Sequence, residues 1–220
     1  MQVHMEWLTG CKNTRQALKE VLIHFDTRDP YTSEHQKKVS NLSRAIAREL
    51  ELPCGSEHAV AAAGLLHDIG KAHVPYDILV KPGRVNEYEY TILKTHVQKG
   101  YDILKSIGLP SRIADIVLQH HERINGSGYP SGLGGETILF EAKILGVADV
   151  VEAVASHRPY RPAMGIDAAL QEVWDNSNLL YDEDVANACI RLFYHKGYVL
   201  TNEFNLDMFN TFLEISYDIV

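Results

Sequence analysis

Histidine and acid residues recur along this chain at a regular interval, and that recurrence restricts its fold more than any other feature. They are His35, the pair His67-Asp68, His96, the pair His120-His121, and Asp149. From His35 to His67, Asp68 to His96, His96 to His120 and His121 to Asp149 the gaps are 32, 28, 24 and 28 residues. Such a gap is about one helix plus its return connection, since helices average ~11–12 residues and loops are short. Each group can therefore come from a different helix of a bundle and face one centre, as metal ligands do in helical bundles. Taken singly, His35 or His96 reads as an ordinary surface or hydrogen-bonded histidine. The adjacent pairs change that reading. His67-Asp68 follows Gly64-Leu65-Leu66 and precedes Ile69-Gly70, and Asp149 lies between Ile144-Leu145-Gly146-Val147-Ala148 and Val150-Val151. Burying an unpartnered polar group costs about 2–7 kcal/mol, and a bound cation removes that cost. No Lys or Arg stands three or four residues from Asp149, so its partner is a metal or an arginine from elsewhere in the fold.

The rest of the pattern is helical. Val39, Leu42, Ile46 and Leu50 form one stripe, closed by Pro53 and Gly55. The Ala-rich stretch 57–68 predicts a second helix with Gly70 as its C-terminal cap. Pro75 and Lys81-Pro82-Gly83 mark a loop with one short turn between them. Further helices are predicted over 87–107, 111–121, 140–156, 166–174 and 185–194, with the glycine-rich stretch 125–135 as loop. The expected architecture is all-α, a helical bundle with a dinuclear metal site in its core. Residues 1–13 read as an N-terminal appendage, 14–195 as the domain, and 196–220 as a helical C-terminal extension whose Leu206, Phe209, Phe212, Leu213 and Tyr217 dock on the core or on a partner.

Composition narrows the function classes. Twenty-one Lys and Arg against 29 Asp and Glu give a net charge of −8, which argues against a nucleic-acid polymer or an anionic membrane surface as partner. The three cysteines, Cys11, Cys54 and Cys189, are scattered and form no CxxC pair, so neither a disulfide framework nor a thiolate zinc site is expected. The chain shows no signal peptide and no run of eighteen apolar residues, and a cytoplasmic protein is expected. Neither a GxSxG elbow nor a Walker loop is present. Mixed imidazole and carboxylate donors without thiolate suit iron, manganese, nickel or zinc. An Asp can bridge two such ions, and ions ~3.5–4 Å apart can activate water and clamp both oxygens of a phosphoryl displacement. Hydrolysis of a phosphate ester is the chemistry this donor set predicts.

These residues also sit within a wider resemblance. His67-Asp68-Ile69-Gly70-Lys71 and Gly128-Tyr129-Pro130 resemble the two signatures of HD-GYP domains, a branch of the HD phosphohydrolase superfamily. Asp29-Pro30-Tyr31-Thr32 with His35, Val74-Pro75, Ile78-Leu79, Lys81-Pro82-Gly83, Thr95-His96-Val97 and Gly100 extend the match. His120-His121-Glu122-Arg123, Asn125-Gly126-Ser127, Val147-Ala148-Asp149 and Arg158-Pro159-Tyr160-Arg161 complete it, over about residues 14 to 175. The resemblance implies a metal-dependent phosphodiesterase that hydrolyses the bacterial second messenger cyclic di-GMP to pGpG or GMP. Cyclic GMP-AMP is the alternative substrate.

The metal ligands it implies are His35, His67, Asp68, His96, His120, His121 and Asp149, with Asp68 as the bridge. It implies two divalent ions, iron or manganese first, then nickel or zinc. Lys71 would face the scissile phosphate as a point charge. Arg123 would hold a phosphate or else serve structurally beside Glu122. Gly126, Gly128 and Pro130 would shape the loop carrying Tyr129, for packing, substrate contact or a protein partner. Partners of this kind of domain are a sensory or receiver domain, a GGDEF-type protein, or a second copy as a homodimer. One position departs from three-metal members of the family, which place an acid four residues before the first ligand histidine; here it is Tyr31, a poor ligand at neutral pH. Two metals are expected rather than three. His4, His24, His58, His73, His157 and His195 are read as surface or packing residues. A nucleotidase and a non-catalytic signalling module are the competing functions.

Overall fold

The stripe of Val39, Leu42 and Ile46 is wholly buried on a helix that opens at Pro30, a residue suited to a first helical turn because it lacks an N–H to satisfy. The computed structural model describes residues 30–157 and 161–203, together with Gln16, Glu20 and Ile23. Its helices are α1 (Pro30–Glu49), α2 (Cys54–Leu66), α3 (Tyr76–Leu79), α4 (Glu87–Ser106), α5 (Ser111–Gln119), α6 (Phe140–Ala155), α7 (Ile166–Asp175) and α8 (Glu183–Lys196). Short 3₁₀ turns occupy Ile69–His73 and Gly135–Thr137. Among the described residues there is no β-strand, only the isolated bridges Asn125–Gly134 and Ser177–Tyr181. The all-α architecture is as expected.

Helix α1 packs on α2 and α6, α4 packs on the first 3₁₀ turn and α5, and α7 and α8 close the far side against α6. Leu42, Ile46, Leu65, Leu66, Leu104, Ile113, Ile116, Ile144, Leu145 and Leu170 fill the centre. Helix α6 is apolar around nearly its whole circumference, and Ile144, Leu145, Val147, Ala148 and Val151 are all buried. That is the signature of a central helix rather than a surface one.

Two punctuation marks read from the sequence do other work. Gly55 does not end a helix; it lies in the first turn of α2, which starts at Cys54 behind Pro53. Gly70 is not a C-cap either. Helix α2 ends at Leu66, and Gly70 sits inside the 3₁₀ turn, where a Cβ would lie 2.6 Å from the Gly100 amide nitrogen. The missing side chain lets the turn press against the backbone of α4. The first turn of α4 is fixed by a reciprocal cap: Asn86 Oδ1 accepts from the Glu89 amide at 2.9 Å, and Glu89 Oε2 accepts from the Asn86 amide at 2.7 Å. Helix α8 ends at Gly197 in the left-handed region. Residues 198–203 then return along α1, where Asn41 Nδ2 donates to the carbonyls of Thr201 and Glu203. The N-terminal appendage 1–13 and the apolar residues of the tail from Leu206 onward lie outside the described residues.

Candidate metal centre

Three histidines use one backbone device. His67 Nδ1 donates to the Gly64 carbonyl at 2.8 Å, His96 Nδ1 to Leu93 at 2.7 Å, and His120 Nδ1 to Val117 at 2.7 Å. Each carbonyl belongs to the residue three positions earlier in a helix or at its end. A carbonyl can only accept, so Nδ1 carries the proton and Nε2 presents a lone pair. All three Nε2 atoms are buried without a hydrogen-bond partner. Buried polar atoms are normally satisfied, so three orphaned lone pairs at one place fit a cation.

The other candidates converge there. His35 comes from α1, His67 caps the end of α2, Asp68 opens the 3₁₀ turn, His96 lies in α4, His120 caps α5 with His121 beside it, and Asp149 lies in α6. Donor atoms of His35, His67 and Asp149 lie within 4.8 Å of one another, and so do those of His96, His120 and His121. Asp68 stands between the two triads. Its Oδ2 is 3.4 Å from His67 Nε2 and 3.8 Å from His35 Nε2, while its Oδ1 is 3.6 Å from His96 Nε2. Each carboxylate oxygen thus faces a different triad. The structure brings together all seven residues singled out by spacing, and their donor types suit divalent transition metals.

Burial favours the neutral form of four of the imidazoles. It pushes His120 down to about 3 and His96 down to about 4, and lowers His67 and His121 as well. Burial also opposes ionisation of the two aspartates, but the cluster overturns it. Lys71 and the imidazoles hold Asp68 well below the usual carboxylate range, and the His35 hydrogen bond with the neighbouring imidazoles does the same for Asp149.

The sequence reading missed one buried acid here. Glu152, 2% exposed, takes the Nδ1 side of His35, so His35 Nε2 turns to Asp149 Oδ1 at 3.2 Å. A carboxylate behind a ligating imidazole fixes its orientation and raises its basicity. The signal was available: Glu152 stands three residues after Asp149, in the same apolar run.

Lys71 Nζ lies 2.6 Å from Asp68 Oδ2 and also lines an adjacent cleft of about 800 Å³. The cleft runs between the loop 81–86 and α4; Lys81, Arg84, Tyr90 and Arg161 line it with Lys71. No motif had singled out Lys81, Arg84 or Tyr90 as ligand contacts. Arg123 points elsewhere: its Nη1 donates to the carbonyls of His120 at 3.1 Å and Glu122 at 2.8 Å, and its guanidinium lies 5.5 Å from the Tyr181 ring centroid. The structure thus gives Arg123 bracing contacts.

The Gly-Tyr-Pro loop is strapped onto the turn that carries His121. The Tyr129 amide donates to the His121 carbonyl at 3.2 Å. Glu122, which is buried, accepts from the Ser131 and Leu133 amides at 2.8 and 2.9 Å. Gly126 uses a backbone angle that favours glycine, φ +78°. Gly128 is needed for space instead, since a Cβ there would lie 2.6 Å from the Arg123 amide nitrogen. The Tyr129 ring stacks on His121 with centroids 4.7 Å apart, and Lys94 Nζ lies 5.8 Å from its centroid. Tyr31, at the position where an additional acid was sought, donates its hydroxyl to the His157 carbonyl. His73, His157 and His195 are exposed and His58 is half-buried beside Cys54; His4 and His24 lie outside the described residues.

The family model described as HD domain matches residues 23–185. The chain is 38% identical over 181 residues to the cyclic di-GMP phosphodiesterase response regulator RpfG of Xanthomonas campestris, covering 80% of this chain and 47% of that protein. It is also 38% identical over 145 residues to 3'3'-cGAMP-specific phosphodiesterase 1 of Vibrio cholerae, covering 66% of this chain and 34% of that one. The chain therefore spans less than half the length of these relatives. The solved structure of Bd1817, described as an HDG"Y"P protein from Bdellovibrio bacteriovorus, shares the fold with a TM-score of 0.64 at 16% identity, covering 86% of this chain and 67% of that one. With the cluster of candidate ligands and the Gly-Tyr-Pro loop both in place, the chain belongs to the HD domain family, in its HD-GYP branch.

Proposed function

We propose that this chain is a metal-dependent phosphodiesterase that hydrolyses cyclic di-GMP to pGpG or GMP. The observation that carries the reading is the pair of histidine-containing triads on either side of Asp68, beside a cleft with a cationic lining. We assign His35, His67 and Asp149 to one divalent ion and His96, His120 and His121 to the other, with Asp68 between them. Tyr31, engaged with His157, supports two ions rather than three. The family resemblance implies iron or manganese first and nickel or zinc next, and mixed imidazole and carboxylate donors suit all four. Such ions, when bound, supply Lewis acidity and an activated water to phosphodiester hydrolysis.

The chain's own residues do the rest. Asp68 and the imidazoles set the donor geometry. Lys71, at the seam between cluster and cleft, stabilises the charge that develops on the phosphoryl oxygens. Arg123 and the loop through Tyr129 hold His120 and His121 in place rather than touching substrate. Residues 14–195 form the catalytic unit in this reading, acting in the cytoplasm. Its input comes from a sensory or receiver domain, a GGDEF-type partner or a second copy. Among the described residues, no helix is long and apolar enough to cross a membrane.

A second substrate, cyclic GMP-AMP, is favoured by the equal identity to the Vibrio cholerae enzyme. One experiment addresses both. The chain is loaded with Fe(II) or Mn(II) under anaerobic conditions and incubated with each dinucleotide, and the products are separated by chromatography. Turnover of cyclic di-GMP is expected. Turnover of cyclic GMP-AMP alone replaces the substrate, and no turnover of either with either metal overturns the function.

A further inference from the structure

We propose that Arg84 anchors the second, non-reacting phosphodiester of the cyclic dinucleotide, an inference that rests on the phosphodiesterase reading above. A cyclic dinucleotide carries two phosphodiesters. The metal cluster with Lys71 can take only one, so the other must lie in the cleft that opens beside Lys71.

Four cations line that cleft: Lys71, Lys81, Arg84 and Arg161. Three already hold partners within the protein. Lys71 pairs with Asp68 at 2.6 Å, Lys81 with both oxygens of Glu89 at 2.8 and 2.7 Å, and Arg161 Nη2 donates to the Ala153 carbonyl at 2.5 Å. Arg84 has no hydrogen bond or ion pair among the described residues. The backbone of the loop that carries it is braced, because that loop is tied at both ends to one side chain. Glu89 binds Lys81 on one side of Arg84 and the Asn86 amide on the other. Gly83, at φ +93°, makes the turn between them. An arginine carried on a braced loop, lining a cleft and without an internal partner, is suited to bind a phosphate through a charge-assisted hydrogen bond. The neighbouring Tyr90, 45% exposed as a residue and with Lys94 Nζ 5.2 Å from its ring centroid, adds an aromatic surface beside which a guanine can pack.

The test compares Arg84→Met and Arg84→Lys with the wild-type, metal-loaded full chain on two substrates. Cyclic di-GMP has the second phosphodiester; bis(p-nitrophenyl) phosphate has none. Arg84→Met is expected to raise KM for cyclic di-GMP about tenfold, the weight of one charge-assisted hydrogen bond, with kcat unchanged. Arg84→Lys should fall between, and neither variant should alter turnover of bis(p-nitrophenyl) phosphate. An unchanged KM for cyclic di-GMP in Arg84→Met overturns the assignment of Arg84 alone. Equal losses on both substrates overturn it too, since the residue would then support the fold. Wild-type protein that cleaves bis(p-nitrophenyl) phosphate but neither cyclic dinucleotide overturns the substrate reading and Arg84 with it.

Discussion

His35 faces the cluster through Nε2 while Glu152 engages its other nitrogen. That division of labour makes Glu152 a residue whose effect is read through metal affinity. Replacing Glu152 with Gln keeps the shape and removes the charge behind the imidazole. The expected result is metal binding weakened about tenfold, measured by competition with a chelating dye, with helicity retained. Unchanged affinity would show that His35 is oriented by other contacts. Glu152 also shows how far residue-level reading reaches. An acid inside an apolar run is visible in sequence, and Asp149 was found that way. Which histidine such an acid backs depends on α1 lying against α6, a contact across more than a hundred residues.

The elements tell a different story about glycine. Gly55 and Gly70 look alike in sequence, since both flank the Ala-rich helix and both read as helix stops. In space they differ. A Cβ at Gly55 meets nothing within 4 Å, whereas one at Gly70 runs into the backbone of α4. Gly55→Ala is expected to raise stability by about 0.4–1 kcal/mol through the unfolded chain. Gly70→Ala should lower it by roughly 1–3 kcal/mol and empty the cluster, because it separates the turn bearing Asp68 from the helix bearing His96. Denaturant melts with metal analysis of both variants check the pair. A harmless Gly70→Ala would mean that the contact between turn and helix is soft.

Helix positions were legible to within two or three residues at most ends, because apolar spacing and the turn residues agree there. The cap at Asn86 and Glu89, the close approach at Gly70 and the strapping of the Gly-Tyr-Pro loop were not. Each depends on which backbone comes near which, and a one-dimensional pattern does not carry that. The seven candidate donors were legible because their spacing is itself a consequence of the bundle. The cleft was not, since Lys81 enters only through the Lys81-Pro82-Gly83 loop pattern, and Arg84 and Tyr90 belong to no motif and look like ordinary surface residues.

For the whole molecule, the candidate donors tie α1, the 3₁₀ turn, α4, the end of α5 and α6 to one point. A ligand that binds only the folded chain stabilises it in proportion to its saturation. Metal at a hundredfold excess over its dissociation constant contributes about 2.7 kcal/mol. Adding EDTA should therefore lower Tm by several degrees, and restoring Mn(II) should recover it. Asp68→Asn, which weakens the position shared by both triads, should show a much smaller response to either. A Tm indifferent to metal in the wild-type chain would mean that the cluster is held by the apolar core alone.

The repeated pairing of an Nδ1 proton with a carbonyl three residues back has a consequence for how this cluster chooses its ion. The lone pairs of His67, His96 and His120 are aimed by main chain rather than by mobile side chains, so capture of an ion requires little rearrangement of those donors. A rigid frame of this kind discriminates poorly between transition metals of similar radius and preferred geometry. Under the phosphodiesterase reading proposed above, occupancy would follow whichever suitable ion the surroundings supply, and activity would gauge local metal availability as much as substrate.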